Sequence, residues 1–193
     1  GGTYTVEMPD GLYQCRARGI FRKNEIKPVV GDMVSIERLS EGEGFIQAVG
    51  ERKNLFIRPP LANIDTMLFV LSVTQPVPNF TVTDKLIAIA EYKGITPVIV
   101  VTKADFTGGE KIAQIYQKAG FDVCIVNNGT GEGVDDVMRL ITGKICAFTG
   151  NSGVGKSSLL NNLDKQIQAD TGEISEKLGR GRHTTRHVEL YQL

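Results

Sequence analysis

The stretch Gly150-Asn151-Ser152-Gly153-Val154-Gly155-Lys156-Ser157 has the spacing of a phosphate-binding loop. Gly153 and Gly155 permit backbone angles that other residues resist, so successive N–H groups can turn into one concavity and cradle phosphate oxygens. A helix expected to start near Lys156 adds its positive N-terminal end. Lys156 is placed to reach the β- and γ-phosphates and the Ser157 hydroxyl to bind Mg²⁺, with Ser158 completing the candidate contact set. An apolar strand precedes the loop and the helix "SSLLNNL" follows it, which is the context the pattern requires. The loop alone does not distinguish ATP from GTP.

The stretch "VIVVTKADF" bears on the base. A buried strand ends there at Thr102-Lys103-Ala104-Asp105. Guanine presents neighbouring N–H donors on its Watson–Crick edge, where adenine offers an acceptor and a donor. A fixed carboxylate at Asp105 would therefore select guanine, at the C-terminal edge of a sheet where open α/β domains bind ligands. The aliphatic stem of Lys103 can cover one face of the base. A plain turn is the alternative reading, since Lys and Asp are common after strands.

These residues need elements to position them. Residues 1–58 read as short strands, "TYTVEM", "LYQCRARG", "DMVSIERL", "GFIQAVG" and "KNLFIR", separated by turn residues. Val34 and Ile36 alternate with Ser35 and Glu37, the period of a half-buried strand. The pattern predicts an all-β barrel, most simply an OB-fold, with an SH3-like barrel as the alternative. From residue 59 to 193 the rhythm changes. Continuous apolar strands such as "IDTMLFVLSV" alternate with helical patterns such as "TDKLIAIAEYKG", which predicts a doubly wound α/β domain on a parallel sheet.

Composition bounds the rest. Lys plus Arg and Asp plus Glu number 22 each, so net charge argues neither for nor against nucleic acid. Cys15, Cys124 and Cys146 are far apart with no C-x-x-C pair, which fits a reducing compartment and offers no zinc framework. The longest apolar run, Met67 to Val73, falls short of the roughly 18 residues of a membrane span. No signal-peptide pattern opens the chain. The expectation is a cytoplasmic monomer without a membrane partner.

At this point the chain resembles a known family. "TKAD" is similar to the N/T-K-x-D guanine motif of Ras-like GTPases, yet here it precedes the phosphate loop. That order marks circularly permuted GTPases. Together with the barrel, "GNSGVGKSSLLN" and "GEISEKLGRGRHTTRHVEL" resemble the bacterial ribosome small-subunit-dependent GTPase A family. The resemblance implies a GTPase that docks on the small (30S) subunit through the barrel, acts late in its maturation, and turns GTP over to GDP and phosphate slowly when alone. It also implies that Asn127-Asn128-Gly129 stands where a Ser-Ala-Lys-like turn touches the base. The D-x-x-G motif and the C-terminal zinc-binding domain of the family are absent from these residues, so an incomplete chain is expected and zinc is implied by resemblance only.

Within "KLGRGRHTTRHVEL", the resemblance implies a switch segment in which Thr185, or Thr184, meets Mg²⁺ and the γ-phosphate. His183 is a candidate to position the attacking water, a phosphate or RNA contact being the alternative. In the barrel Arg16, Arg18, Arg22, Lys23 and Lys27 form a candidate rRNA-binding face, with Tyr13 and Phe21 nearby as possible stacking platforms; the alternative is an ordinary solvated face. Two other functions stay open: a GTP-binding RNA module with little hydrolysis, and a P-loop ATPase or kinase that would ignore Asp105.

Overall fold

The structure, a computed structural model, describes residues 2–17, 27–106 and 108–163. The described residues divide into two compact units, the first running to Asn63 and the second starting at Ile64.

In the first unit β1 (Thr3–Met8), β2 (Gly11–Ala17), β3 (Val34–Ser40) and β4 (Glu43–Val49) form one sheet in the order β1-β2-β4-β3. The outer pairs are antiparallel and the central β2–β4 pair is parallel. Side-chain alternation sets the faces. Tyr13, Cys15 and Ile46 are buried, with Tyr4, Val6, Met8, Val34, Ile36 and Val49 packed against them, whereas Gln14 and Arg16 point outward.

The fifth expected strand, "KNLFIR", does not join this sheet. Leu55–Phe56 (β5) pairs antiparallel with Leu61–Ala62 (β6) in a separate two-stranded hairpin. Pro59 and Pro60 carry no N–H and cannot extend a ladder, so the chain folds back on the apolar residues on either side. Phe56, Leu61 and Ala62 are buried.

The second unit alternates strands and helices: β7 (Thr66–Ser72), α1 (Phe80–Tyr92), β8 (Thr96–Thr102), α2 (Gly109–Lys118), β9 (Asp122–Val126), α3 (Val134–Ile141), β10 (Cys146–Thr149) and α4 (Lys156–Leu163). Its sheet runs β10-β7-β8-β9 with every neighbouring pair parallel. All of β7 and all of β8 beyond Thr96 are buried, which explains their lack of polar alternation. One face carries Leu68, Val70, Val98, Val100, Cys124 and Val126 against Val134, Val137 and Ile141 of α3 and Leu159 and Leu163 of α4. On the other face Gly109, at the start of α2, sits against Val101 and Ile125. Tyr116 of α2 donates to Asp84 of α1 at 2.9 Å, joining those two helices. Helices thus cover both faces, as a parallel sheet requires.

Candidate nucleotide site

Because the four strands are parallel, the segments that follow β7, β8, β9 and β10 emerge at one edge of the sheet. The phosphate loop follows β10, the Thr102–Asp105 turn follows β8, and the Asn127–Gly129 turn follows β9.

The loop's glycines answer to specific constraints. Gly150 has φ 149°, and a Cβ there would lie 2.4 Å from the Val70 carbonyl oxygen of the neighbouring strand. Gly155 has φ 95°, and a Cβ there would lie 2.8 Å from the Asn128 side-chain nitrogen. Val154 between them turns inward, 2% exposed, and joins the core cluster beneath α3 and α4. Asn151, Ser152 and Gly153 are exposed at the tip, and Ser157 and Ser158 are half-buried in the first turn of α4. The Lys156 ammonium curls back on its own loop, donating to the carbonyls of Gly150 and Asn151 at 2.7 Å each. Burial lowers its pKa below the usual lysine value. An anionic phosphate entering the loop would favour the charged form.

The base-reading turn is tied directly to this loop. Thr102 is fully buried. Its hydroxyl lies 2.6 Å from the Val154 carbonyl and 3.1 Å from the Leu71 carbonyl, and the shorter contact takes its single proton. Lys103 stands in the left-handed region at φ 59° and donates to the Gln75 carbonyl. Asp105 is exposed just beyond, open to a ligand. Next to it, Asn127 Oδ1 accepts from the N–H groups of Gly129 and Thr130 at 2.9 and 3.3 Å and fixes the second turn. Asn128 donates to the Gly155 carbonyl at 3.1 Å, and Asn162 of α4 donates to the Asn128 carbonyl at 2.9 Å.

Family models and curated relatives converge on one family, and solved structures share the fold. The RsgA GTPase family model matches residues 49–193, and the RsgA N-terminal domain model matches residues 1–46. The chain belongs to the RsgA GTPase family. Family relatives include the small ribosomal subunit biogenesis GTPases RsgA of Caldanaerobacter subterraneus subsp. tengcongensis, 43% identical over 195 positions, and of Geobacillus kaustophilus, 41% identical over 198. Each alignment takes in all of this chain, which spans 66% and 68% of those proteins. Among solved structures, YjeQ from Thermotoga maritima matches 86% of this chain and 62% of its own at 31% identity, with a TM-score of 0.71. YloQ, described as a circularly permuted GTPase, matches 84% of this chain and 60% of its own at 35% identity, with a TM-score of 0.64. The family and the permuted fold read from the residue order are therefore those of the RsgA GTPases.

The structure brings Thr102, Lys103 and Asp105 to the same sheet edge as Gly150 through Ser158. His183, Thr184 and Thr185 lie outside the described residues, as do Arg18, Arg22, Lys23 and Phe21. Arg16 and Lys27 are exposed. Tyr13 is not a stacking platform: it is 7% exposed, its hydroxyl donates to Asp10 at 3.0 Å, and the Arg38 guanidinium covers its ring. It sits on the inward face of β2 together with Cys15, whereas Gln14 and Arg16 lie on the opposite, exposed face.

Among the described residues no group of three or more His, Cys, Asp or Glu side chains could hold a metal ion. They do not fit zinc. They do fit Mg²⁺, which keeps most of its coordination on water and substrate phosphates and needs only one or two protein oxygens; the Ser157 hydroxyl at the start of α4 is such an oxygen. Sequence reasoning placed Asn128 in the turn expected to touch the base but missed its bond to Gly155, and it missed Asn162 altogether. The only signal for the first was its place in the turn after "FDVCIV"; for the second there was none, since an Asn in a helix reads as a surface residue.

Proposed function

We infer that this protein binds GTP, hydrolyses it to GDP and phosphate, and does so on the small (30S) ribosomal subunit late in that subunit's maturation, in the cytoplasm and as a monomer. The supporting observation is the direct tie between base-reading turn and phosphate loop, Thr102 hydroxyl to Val154 carbonyl, in a chain of the RsgA GTPase family. In this reading Asp105 accepts the guanine N–H groups, the stem of Lys103 covers the base, and the loop amides with Lys156 hold the phosphates. Mg²⁺, bound together with GTP, would supply charge neutralisation to the phosphates, and Ser157 with Thr185 (or Thr184) would hold it. Chemistry then rests on positioning and on spreading the developing charge. His183 orients the attacking water. Arg16, Arg18, Arg22, Lys23 and Lys27 contact rRNA phosphates, and hydrolysis releases the docked state. No step of this reading involves zinc.

Competition of GDP and ADP against labelled GDP tests the base assignment: unlabelled GDP should displace the label far below the concentration at which ADP does. Equal displacement would move the protein to the ATPase or kinase class. Lys156→Ala should abolish turnover and weaken binding while the all-β unit stays folded. Wild-type kinetics in that variant would contradict the phosphate assignment. Hydrolysis measured with and without small subunits separates the enzyme from an RNA module that binds GTP without turning it over.

A further inference from the structure

Two side chains carried by the base-reading strands hold consecutive carbonyls of the phosphate loop: Thr102 holds that of Val154, and Asn128 holds that of Gly155. We propose that Asn128 is a positioning residue that fixes the spacing between the base subsite and the phosphate subsite. The proposal rests on the guanine-nucleotide reading above and deepens it.

Asn128 is held from three sides. Asn127 stiffens the turn from within by capping Gly129 and Thr130. Asn162 pins the Asn128 carbonyl from the phosphate-loop helix. The Asn128 amide then reaches across to Gly155, where the absence of a side chain leaves it room. The Gly155 carbonyl already accepts the N–H of Leu159 at 2.9 Å. The amide is therefore a second donor to an oxygen the helix has satisfied, and its removal orphans no backbone group. That separates its contribution from fold stability.

The amide's other end is informative. Its Oδ1 is buried with no hydrogen-bond partner among the described residues. Turning the amide over would set that oxygen against the Gly155 carbonyl, so the tie exists in one orientation only. Buried polar groups are ordinarily satisfied, so the orientation of this amide is set by its donor end at Gly155. A nucleoside diphosphate spans both subsites, and its two ends reinforce each other only when the subsites stand at the right separation. A ligand that fills the phosphate loop alone is indifferent to that separation.

The test compares GDP with inorganic pyrophosphate, by calorimetry, on the wild-type protein and on Asn128→Ala and Asn128→Asp. Loss of one amide hydrogen bond should weaken GDP about 2- to 12-fold in the Ala variant, with pyrophosphate changed less than about twofold. The Asp variant is isosteric but turns an oxygen toward the Gly155 carbonyl, so it should weaken GDP more than Ala does. Asn128→Ser, which keeps a hydroxyl donor, should fall between wild type and Ala and serves if the Ala variant does not fold. Equal weakening of GDP and pyrophosphate, wild-type GDP affinity in the Asp variant, or unchanged GDP affinity in Ala and Ser would each overturn the proposal. A wild-type protein that binds GDP no better than ADP would sink the guanine reading instead, a different and separable failure.

Discussion

Replacing Thr102 by Val keeps the shape of a fully buried side chain and removes only its hydroxyl. The hydroxyl's partner is the Val154 carbonyl at 2.6 Å. That carbonyl lies just ahead of the helical ladder, whose Leu159 N–H goes to Gly155. Leaving a buried acceptor unsatisfied costs about 1–3 kcal/mol. The tie holds the loop in the geometry seen here, so its loss should fall at least in part on that geometry. If all of it does, GDP affinity drops by about 5- to 150-fold. The part that falls on global stability lowers the melting midpoint by about 2–4 °C per kcal/mol in a chain of this size. Fluorescence titration with a labelled GDP and a thermal melt on the same sample measure the two parts. Thr102→Ser retains the donor and should hold most of the affinity. A Val variant that binds GDP within twofold of wild type, whatever its melting point, would refute the claim that Thr102 preorganises the loop.

Gly150→Ala should weaken GDP binding by more than about tenfold while the first unit's β signal persists, since its φ of 149° and the 2.4 Å approach of a Cβ to the Val70 carbonyl force the loop to move; binding assays with circular dichroism check this. Burial lowers the Lys156 pKa relative to the unfolded chain, so the charged lysine destabilises the free fold below that pKa, and the cost is relieved progressively as pH rises from the lowered value to the ordinary 10.5. An anion favours the charged form, so pyrophosphate binding should take up a proton in the window between the lowered value and the ordinary 10.5, and its affinity should fall as pH rises there. Calorimetry in buffers of different ionisation enthalpy reads the uptake, pyrophosphate avoids the titration of guanine, and Lys156→Met measured in parallel removes the titration of pyrophosphate itself. Replacing Arg16, Arg18, Arg22 and Lys23 together by Ala should weaken small-subunit binding and flatten its salt dependence, with intrinsic GTP turnover nearly unchanged; an unaltered salt slope would leave that face merely solvated.

The second unit was legible in the sequence because its signals are local and redundant. Strands such as β8 (Thr96–Thr102) carry an uninterrupted apolar run and end at a turn, so strand, helix and loop followed one from another. The phosphate loop and "TKAD" were legible for the same reason. What escaped depends on contacts distant in sequence. Nothing near Asn128 announces that Gly155, 27 residues later, would be its partner. "KNLFIR" has the composition of a strand, and only the two prolines after it hint that it would turn back into a hairpin. Tyr13 was misjudged because closeness in sequence to arginines was weighed above the period of two, which places it with Cys15 inside.

The order of strands in the second sheet also bears on how the site is assembled. β7, β8 and β9 are successive in the chain and neighbours in space, and the Thr102–Leu71 contact closes a span of 31 residues. β10 returns to the far side of β7, and the Ile145–Asp65 bond beside it spans 80. Closing the longer loop costs more chain entropy, and contacts of large sequence separation form slowly. The base-reading strands therefore have the kinetic means to fold first, and as synthesis runs from the N-terminus they are also made first. The strand that carries the phosphate loop, outermost on its side of the sheet among the described residues, docks onto a platform already in place. The ties from Thr102 and Asn128 close only at that step, so nucleotide-binding competence should rise with the slowest refolding phase rather than with the appearance of secondary structure.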